Sequence, residues 1–150
     1  MQIIPDFVLP STGGKTFQLS ACNSKFILIY FYPKDNTPGC TTESQQFRDL
    51  HAEFEKLDCL VLGISRDSIK SHENFKSKFS FPFDLLSDAD EQVCNLFGVI
   101  KQKMMYGKAV QGIERSTFLI DSNGKILTEW RGVKADGHAE AVLNHLKTLS

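Results

Sequence analysis

The 150-residue sequence predicts an α/β protein, a central mixed sheet flanked by helices, and three observations carry that expectation. Two short runs, Phe26-Ile27-Leu28-Ile29-Tyr30-Phe31-Tyr32 and Cys59-Leu60-Val61-Leu62-Gly63-Ile64-Ser65, are apolar without polar alternation, as in strands buried on both faces. Around them apolar residues recur at steps of three and four, the spacing of helices with one buried stripe. Near the end, Asp121-Ser122-Asn123-Gly124-Lys125 carries an Asn-Gly hairpin signal between two further strand-like runs. Strands alternating with helices build a layered α/β sheet.

The elements follow in chain order. Phe7 to Leu9 and Thr16 to Leu19, divided by Ser11-Thr12-Gly13-Gly14-Lys15, read as a short hairpin covering an edge of the core. The strand over 26–32 ends at Pro33, which cannot donate to a sheet ladder. A helix over about 38–57 buries Phe47, Leu50, Phe54 and Leu57, and the strand over 59–65 then pairs parallel to the first through a right-handed crossover. Ile69 to Phe79 is a helix and Phe83 to Leu86 a short strand. Asp88-Ala89-Asp90-Glu91 has the spacing of an acidic capping box, opening a helix with Val93, Leu96 and Phe97 inward and Gly98 as its stop. Val99 to Gly112 reads as a polar connector with scattered apolar anchors, its internal structure left open. Tyr106 within it, like Trp130 later, reads as a packing residue. Ser116 to Ile120 and Ile126 to Trp130 are antiparallel strands, and Asp136 to Leu149 closes the chain as a helix with Val142, Leu143, Leu146 and Leu149 on one face.

The chemistry-bearing stretch lies between the first buried strand and its helix, Pro33-Lys34-Asp35-Asn36-Thr37-Pro38-Gly39-Cys40-Thr41-Thr42-Glu43. Thr37 is placed as an N-cap, with Pro38 at the first helical position, where its missing N–H costs nothing. Cys40 then falls in the first turn. Unpaired N–H groups and the positive end of the helix dipole favour a thiolate there, which is the nucleophilic form of the residue. Glu43 complements the same dipole.

Composition bounds the partners. Seventeen basic and 18 acidic residues leave a net charge of −1, without a long run of either sign, so nothing suggests nucleic acid or an anionic membrane. The start, Met1-Gln2-Ile3-Ile4-Pro5-Asp6, lacks a basic segment followed by an apolar stretch, and no apolar run approaches the roughly 18 residues of a membrane span. The expectation is one soluble domain, residues 1–150, in the cytoplasm. The cysteines, Cys22, Cys40, Cys59 and Cys94, form no Cys-x-x-Cys pair, which argues against a local zinc knuckle, and reduced thiols are the default in that compartment. No metal, flavin or nucleotide motif is present, so no cofactor is expected.

Pro33-x-x-x-Thr37-x-x-Cys40 resembles the active-site signature of peroxiredoxins. The fuller stretch from Phe31 to Glu43 is similar to the peroxiredoxin Q branch, also called bacterioferritin comigratory proteins. Further matches run through Asp6-Phe7-Val8-Leu9-Pro10, Val61 to Ser65, Met105-Tyr106-Gly107-Lys108, Gly112 to Asp121 and Gly137-His138-Ala139. The resemblance implies a thioredoxin-like fold and a thiol-dependent peroxidase acting on hydrogen peroxide and organic hydroperoxides. It assigns Cys40 as the attacking sulfur, Thr37 as a hydroxyl that orients the peroxide, Arg115 as the cation that stabilises thiolate and leaving oxygen, and Pro33 as a shield from bulk water. It also implies a thiol reductant, thioredoxin, glutaredoxin or glutathione, and a monomer as a common state of the branch.

The sequence departs from its relatives in recycling. Attack leaves Cys40 as a sulfenic acid that a second thiol must reduce. Many members of the branch carry a resolving cysteine five residues further on, where this chain has Gln45, and others carry one in the following helix, where Ile69 to Phe79 has none. A one-cysteine cycle with an external thiol is the favoured expectation. Resolution by Cys94, or by Cys22 or Cys59, stays open. Other classes weigh less. A thioredoxin-type oxidoreductase needs a cysteine at Thr37, and a cysteine hydrolase needs one of His51, His72, His138 or His145 beside Cys40. A catalytically silent binding or chaperone-like module would differ in keeping its properties when Cys40 is replaced.

Overall fold

The computed structural model describes residues 2–150 and every side chain among them except that of Met105. Its centre is β3 (Phe26–Phe31), all six residues of which are buried. Strand side chains point alternately to the two faces, so β3 feeds two separate cores. Phe26, Leu28, Tyr30 and then Tyr32 enter one, with Phe47, Phe54, Phe75, Val142 and Leu146. Ile27, Ile29 and Phe31 enter the other, with Phe97, Phe118 and Ile120.

Seven strands form the sheet in the order β2-β1-β5-β4-β3-β8-β9. β4 (Cys59–Ser65) runs parallel to β3 in a register from Phe26↔Cys59 to Phe31↔Ile64, and β5 (Asp84–Ser87) continues parallel beyond it. On the other side β8 (Ser116–Asp121) is antiparallel to β3, followed by β9 (Ile126–Arg131), so the sheet is mixed as the sequence implies. The N-terminal hairpin, β1 (Val8–Ser11) and β2 (Lys15–Gln18), extends the sheet edge by pairing Ser11 with Leu86. α1 (Pro38–Lys56), α2 (Ile69–Phe79) and α4 (His138–Leu149) supply the first core, and the short α3 (Gln92–Phe97) supplies the second, so helices cover both faces. Among the described residues, no helix is long and apolar enough to cross a membrane.

One stretch left open by the sequence is resolved, and three expectations are corrected, at Tyr106, at the capping box and at Leu149. The connector over 99–112 is a separate antiparallel hairpin, β6 (Ile100–Met105) with β7 (Lys108–Ile113), turning at Tyr106 and Gly107 with φ of 51° and 76°. Its residues from Lys101 to Gln111, where described, are exposed, so backbone pairing carries it without an apolar face to advertise it. Tyr106, at its tip, is 99% exposed and packs against nothing, whereas Trp130 is partly buried with its ring 5.5 Å from that of His145. The capping box over 88–91 is not formed. Glu91 takes the N-cap position with φ 64° and pairs instead with Arg66, while the Asp88 carboxylate accepts from the Val93 and Cys94 N–H groups at 3.1 and 2.6 Å. At the far end, Leu149 is 43% exposed and lies outside the stripe formed by Val142, Leu143 and Leu146.

Candidate active site

Where β3 runs out, the chain makes a short loop and enters α1 at Pro38. Thr37 has extended backbone, φ −99° and ψ 157°, and stands at the N-cap. Its side chain does not cap. The Thr37 hydroxyl turns back and donates to the Lys34 carbonyl at 2.8 Å, tightening the loop instead of the helix start. The first bond into the helix runs from Thr41 N–H to the Thr37 carbonyl at 2.8 Å, so the Gly39 and Cys40 N–H groups lie ahead of it. Cys40 is 1% exposed, at the rim of the first core. Pro33, half-buried, opens the loop.

Arg115 reaches this sulfur from the opposite side of the sheet register. Ser116 pairs with Phe31 across β8 and β3, so Arg115 stands beside the point where β3 leaves the sheet. Its Nη2 lies 3.5 Å from Cys40 Sγ and its Nη1 donates to Glu43 Oε1 at 2.8 Å. Three of the four residues expected at the site, Cys40, Thr37 and Pro33, come from one local segment. Arg115, remote in sequence, joins them through sheet pairing.

Glu43 belongs to the site more closely than its sequence position suggests. It is one helical turn beyond Cys40, fully buried, and its Oε2 has no hydrogen-bond partner among the described residues. Burial pushes its carboxyl up to about 7, against the pull of the Arg115 charge. For Arg115 burial works against the cation, but the neighbouring Glu43 and Cys40 more than offset it and hold its pKa above the ordinary arginine value. Gly39 is a residue to which the sequence assigns no part in the chemistry. A Cβ there would stand 2.9 Å from Arg115 Nη2, so the bare glycine lets the guanidinium lie against the helix start.

The remaining thiols are elsewhere. Cys94 is fully buried in the second core, on the other face of the sheet from Cys40. Cys59 opens β4 beside Phe26, the far end of β3 from the Cys40 loop. Burial pushes the Cys59 thiol up to about 12, and burial followed by the hydrogen bond to Asp88 pushes the Cys94 thiol up further. Cys22 is half-buried against the second core. The histidines are also engaged away from Cys40: His51 with Glu55, His72 with Asp35 and the Leu86 carbonyl, His138 with Thr117 and His145 with Thr128. Among the described residues, no histidine bonds to the Cys40 sulfur.

A single cysteine at a helix start, opposed by an arginine and mounted on a thioredoxin-like sheet, defines a thiol-dependent oxidoreductase. The chain belongs to the AhpC/TSA family, whose pattern it matches over residues 1–128, and within it to the peroxiredoxin Bcp branch, enzymes with thiol-dependent peroxidase activity. It is 54% identical over 142 residues to the peroxiredoxin Bcp of Xanthomonas campestris, covering 95% of this chain and 89% of that relative. The peroxiredoxin Bcp of Bacillus subtilis is 47% identical over 149 residues, covering 99% of this chain and 95% of the relative. Among solved structures, the Xanthomonas campestris bacterioferritin comigratory protein, described for alkyl peroxide reduction, superposes with a TM-score of 0.91 at 52% identity, covering 95% and 91% of the two chains.

Proposed function

We propose that Cys40 is the peroxidatic residue and that hydrogen peroxide and organic hydroperoxides are its substrates, with residues 1–150 acting as one catalytic domain. The observation that carries this is the Arg115 guanidinium 3.5 Å from Cys40 Sγ at a helix start. The thiolate attacks the terminal peroxide oxygen, an S–O bond forms as the O–O bond breaks, and sulfur loses two electrons to the peroxide. The leaving alkoxide or hydroxide takes up a proton and departs as alcohol or water, leaving Cys40 as sulfenic acid. Arg115, permanently cationic, stabilises the thiolate and the charge developing on the leaving oxygen. The Thr37 hydroxyl, donating to Lys34, keeps lone pairs to accept from the hydroperoxide O–H, and the free N–H groups of the first turn hold its oxygens. Pro33 limits access of bulk water at the loop start. Replacing Cys40 with serine abolishes peroxide consumption on this reading; a variant that still consumes peroxide at the parent rate refutes it.

The sulfenic acid is reduced by an external thiol, thioredoxin, glutaredoxin or glutathione, in a monomer working in the reducing cytoplasm. Two placements support a one-cysteine cycle: Cys94 has the sheet between it and Cys40, and Cys59 lies at the opposite end of β3. Intact-mass measurement after one equivalent of peroxide tests it. A gain of about 16 Da, convertible to a dimedone adduct, is expected, and a rapid loss of about 2 Da would show an internal disulfide instead.

A further inference from the structure

The most extensively bonded buried polar group outside the Cys40 pocket lies behind the loop that presents Cys40. Asp35, midway along that loop, is 7% exposed, and its carboxylate is fully engaged. The Tyr32 hydroxyl donates to Oδ1 at 2.6 Å, and on the α2 side the Ser71 hydroxyl and His72 Nδ1 meet Oδ2 at 2.8 and 2.6 Å. The other imidazole nitrogen, Nε2, lies 2.9 Å from the Leu86 carbonyl on β5. A carbonyl only accepts, so Nε2 carries a proton, and the short contact at Nδ1 requires another between the ring and Asp35. His72 therefore bonds in two directions, toward the loop and toward the sheet, while itself wholly buried. The loop backbone is held too, since Asp35 N–H donates to Asp67 Oδ2 at 2.8 Å. The Asp35, Asp67 and His72 ligand atoms lie within 4.8 Å of one another, a spacing compatible with a metal ion, but these bonds close the cluster on itself.

A buried pair of this kind fixes geometry more than it adds net stability, because desolvation offsets much of its attraction. What it fixes is the segment from Tyr32 to Pro38. The chain enters that segment from β3 and leaves it into α1, and Thr37, two residues past Asp35, occupies the N-cap position of the helix whose first turn holds Cys40. Lys78, also on α2, reaches Asn36 Oδ1 at 3.1 Å. We infer that His72 is a positioning residue for peroxide reduction: it acts through Asp35, clamping the 33–37 loop onto α2 so that Thr37 and the Cys40 helix start are held in register with Arg115. This rests on Cys40 being the nucleophile.

Two substitutions separate the two bonds of His72. The amide of asparagine falls near Nδ1 and that of glutamine near Nε2, so His72→Asn keeps the donor to Asp35, and His72→Gln keeps only the donor to Leu86. The measurement is the rate of Cys40 sulfenic acid formation with hydrogen peroxide, by rapid quench into dimedone and mass analysis, with thermal unfolding alongside. His72→Gln should react about 10-fold or more slowly, and His72→Asn within about 3-fold of the parent, because sub-ångström misplacement of reacting groups costs rate steeply. If both react like the parent, if both slow equally, or if His72→Asn is the slower, the clamp through Asp35 is wrong and His72 merely anchors α2 to β5. Should neither variant fold, Ser71→Ala takes their place. It removes one donor to Asp35 Oδ2, and a lowered rate supports the clamp while an unchanged rate overturns it. A parent protein giving no sulfenic acid would sink the assignment of Cys40 itself, which is a different outcome from variants that match a reactive parent.

Discussion

The Arg115 guanidinium divides itself between two residues of one helical turn, donating at 2.8 Å to Glu43 and standing 3.5 Å from the Cys40 sulfur. A planar fork can do both at once. Lysine cannot, because its single ammonium group would settle on the buried carboxylate and leave the sulfur unattended. Arg115→Lys should therefore slow sulfenic acid formation at Cys40 by roughly 100-fold, the scale of removing one preorganised donor from a developing negative charge. Stopped-flow or rapid-quench kinetics with hydrogen peroxide measure it, and a lysine variant within about 3-fold of the parent would show that bidentate geometry is irrelevant.

Burial shifts two titrating neighbours of Arg115 in opposite directions, while the Arg115 charge pulls both downward. Burial raises Glu43 from 4.5 to about 7, whereas burial, aided by the Arg115 charge, lowers His138 from 6.5 to about 4. A raised carboxyl contributes stability that is full below about 4.5 and lost as pH rises through about 7. A lowered histidine contributes stability that is full above about 6.5 and lost as pH falls through about 4. Between pH 4.5 and 6.5 the two slopes oppose, each worth up to about 3 kcal/mol. Glu43→Gln should expose the histidine, giving stability that climbs with pH over that window. His138→Gln should expose the carboxylate and make stability decline with pH. Urea unfolding across the window checks both signs, and identical slopes in the parent and both variants would show that neither group titrates as described.

The sheet was legible in the sequence because β3 and β4 are buried on both faces, which leaves an unbroken apolar run no exposed element would tolerate. The β6–β7 hairpin was not, since its lysines and glutamines face solvent on both sides and carry no period. At the site, Thr37 and Cys40 announce themselves by local punctuation, Pro33, Pro38 and Gly39 around a helix start. Arg115 is a different case. Nothing near it in sequence names its partner, and it became visible only through family resemblance, because the contact is made by the Phe31↔Ser116 register. The pairing of Glu43 with Arg115, and the bonds of His72 and Asp35, escaped for a related reason: Glu43, His72 and Asp35 each look like an ordinary polar residue on a helix or loop until tertiary packing buries them.

Two glycines separate reactivity from stability. At Gly63, in the middle of β4, an added Cβ would meet Leu85 Cδ2 at 2.8 Å and the Tyr30 ring and hydroxyl at 2.9 Å. Tyr30 is fully buried, stacked on Phe47 and bonded to Ser44, so it has nowhere to retreat. Gly63→Ala should cost about 1–3 kcal/mol of stability, the usual penalty for overpacking a closed core. Gly39 is crowded by something that can move, the end of the Arg115 side chain 2.9 Å away. Alanine there suits the helix better than glycine by up to about 1 kcal/mol, so stability should hold or rise. The displaced guanidinium, however, no longer faces Cys40, and reaction with peroxide should slow by about 10-fold. Thermal unfolding and rapid-quench kinetics on the two variants give the comparison. A Gly39→Ala protein as reactive as the parent would mean that the arginine tolerates displacement, and its closeness to the sulfur would lose its claim on the chemistry.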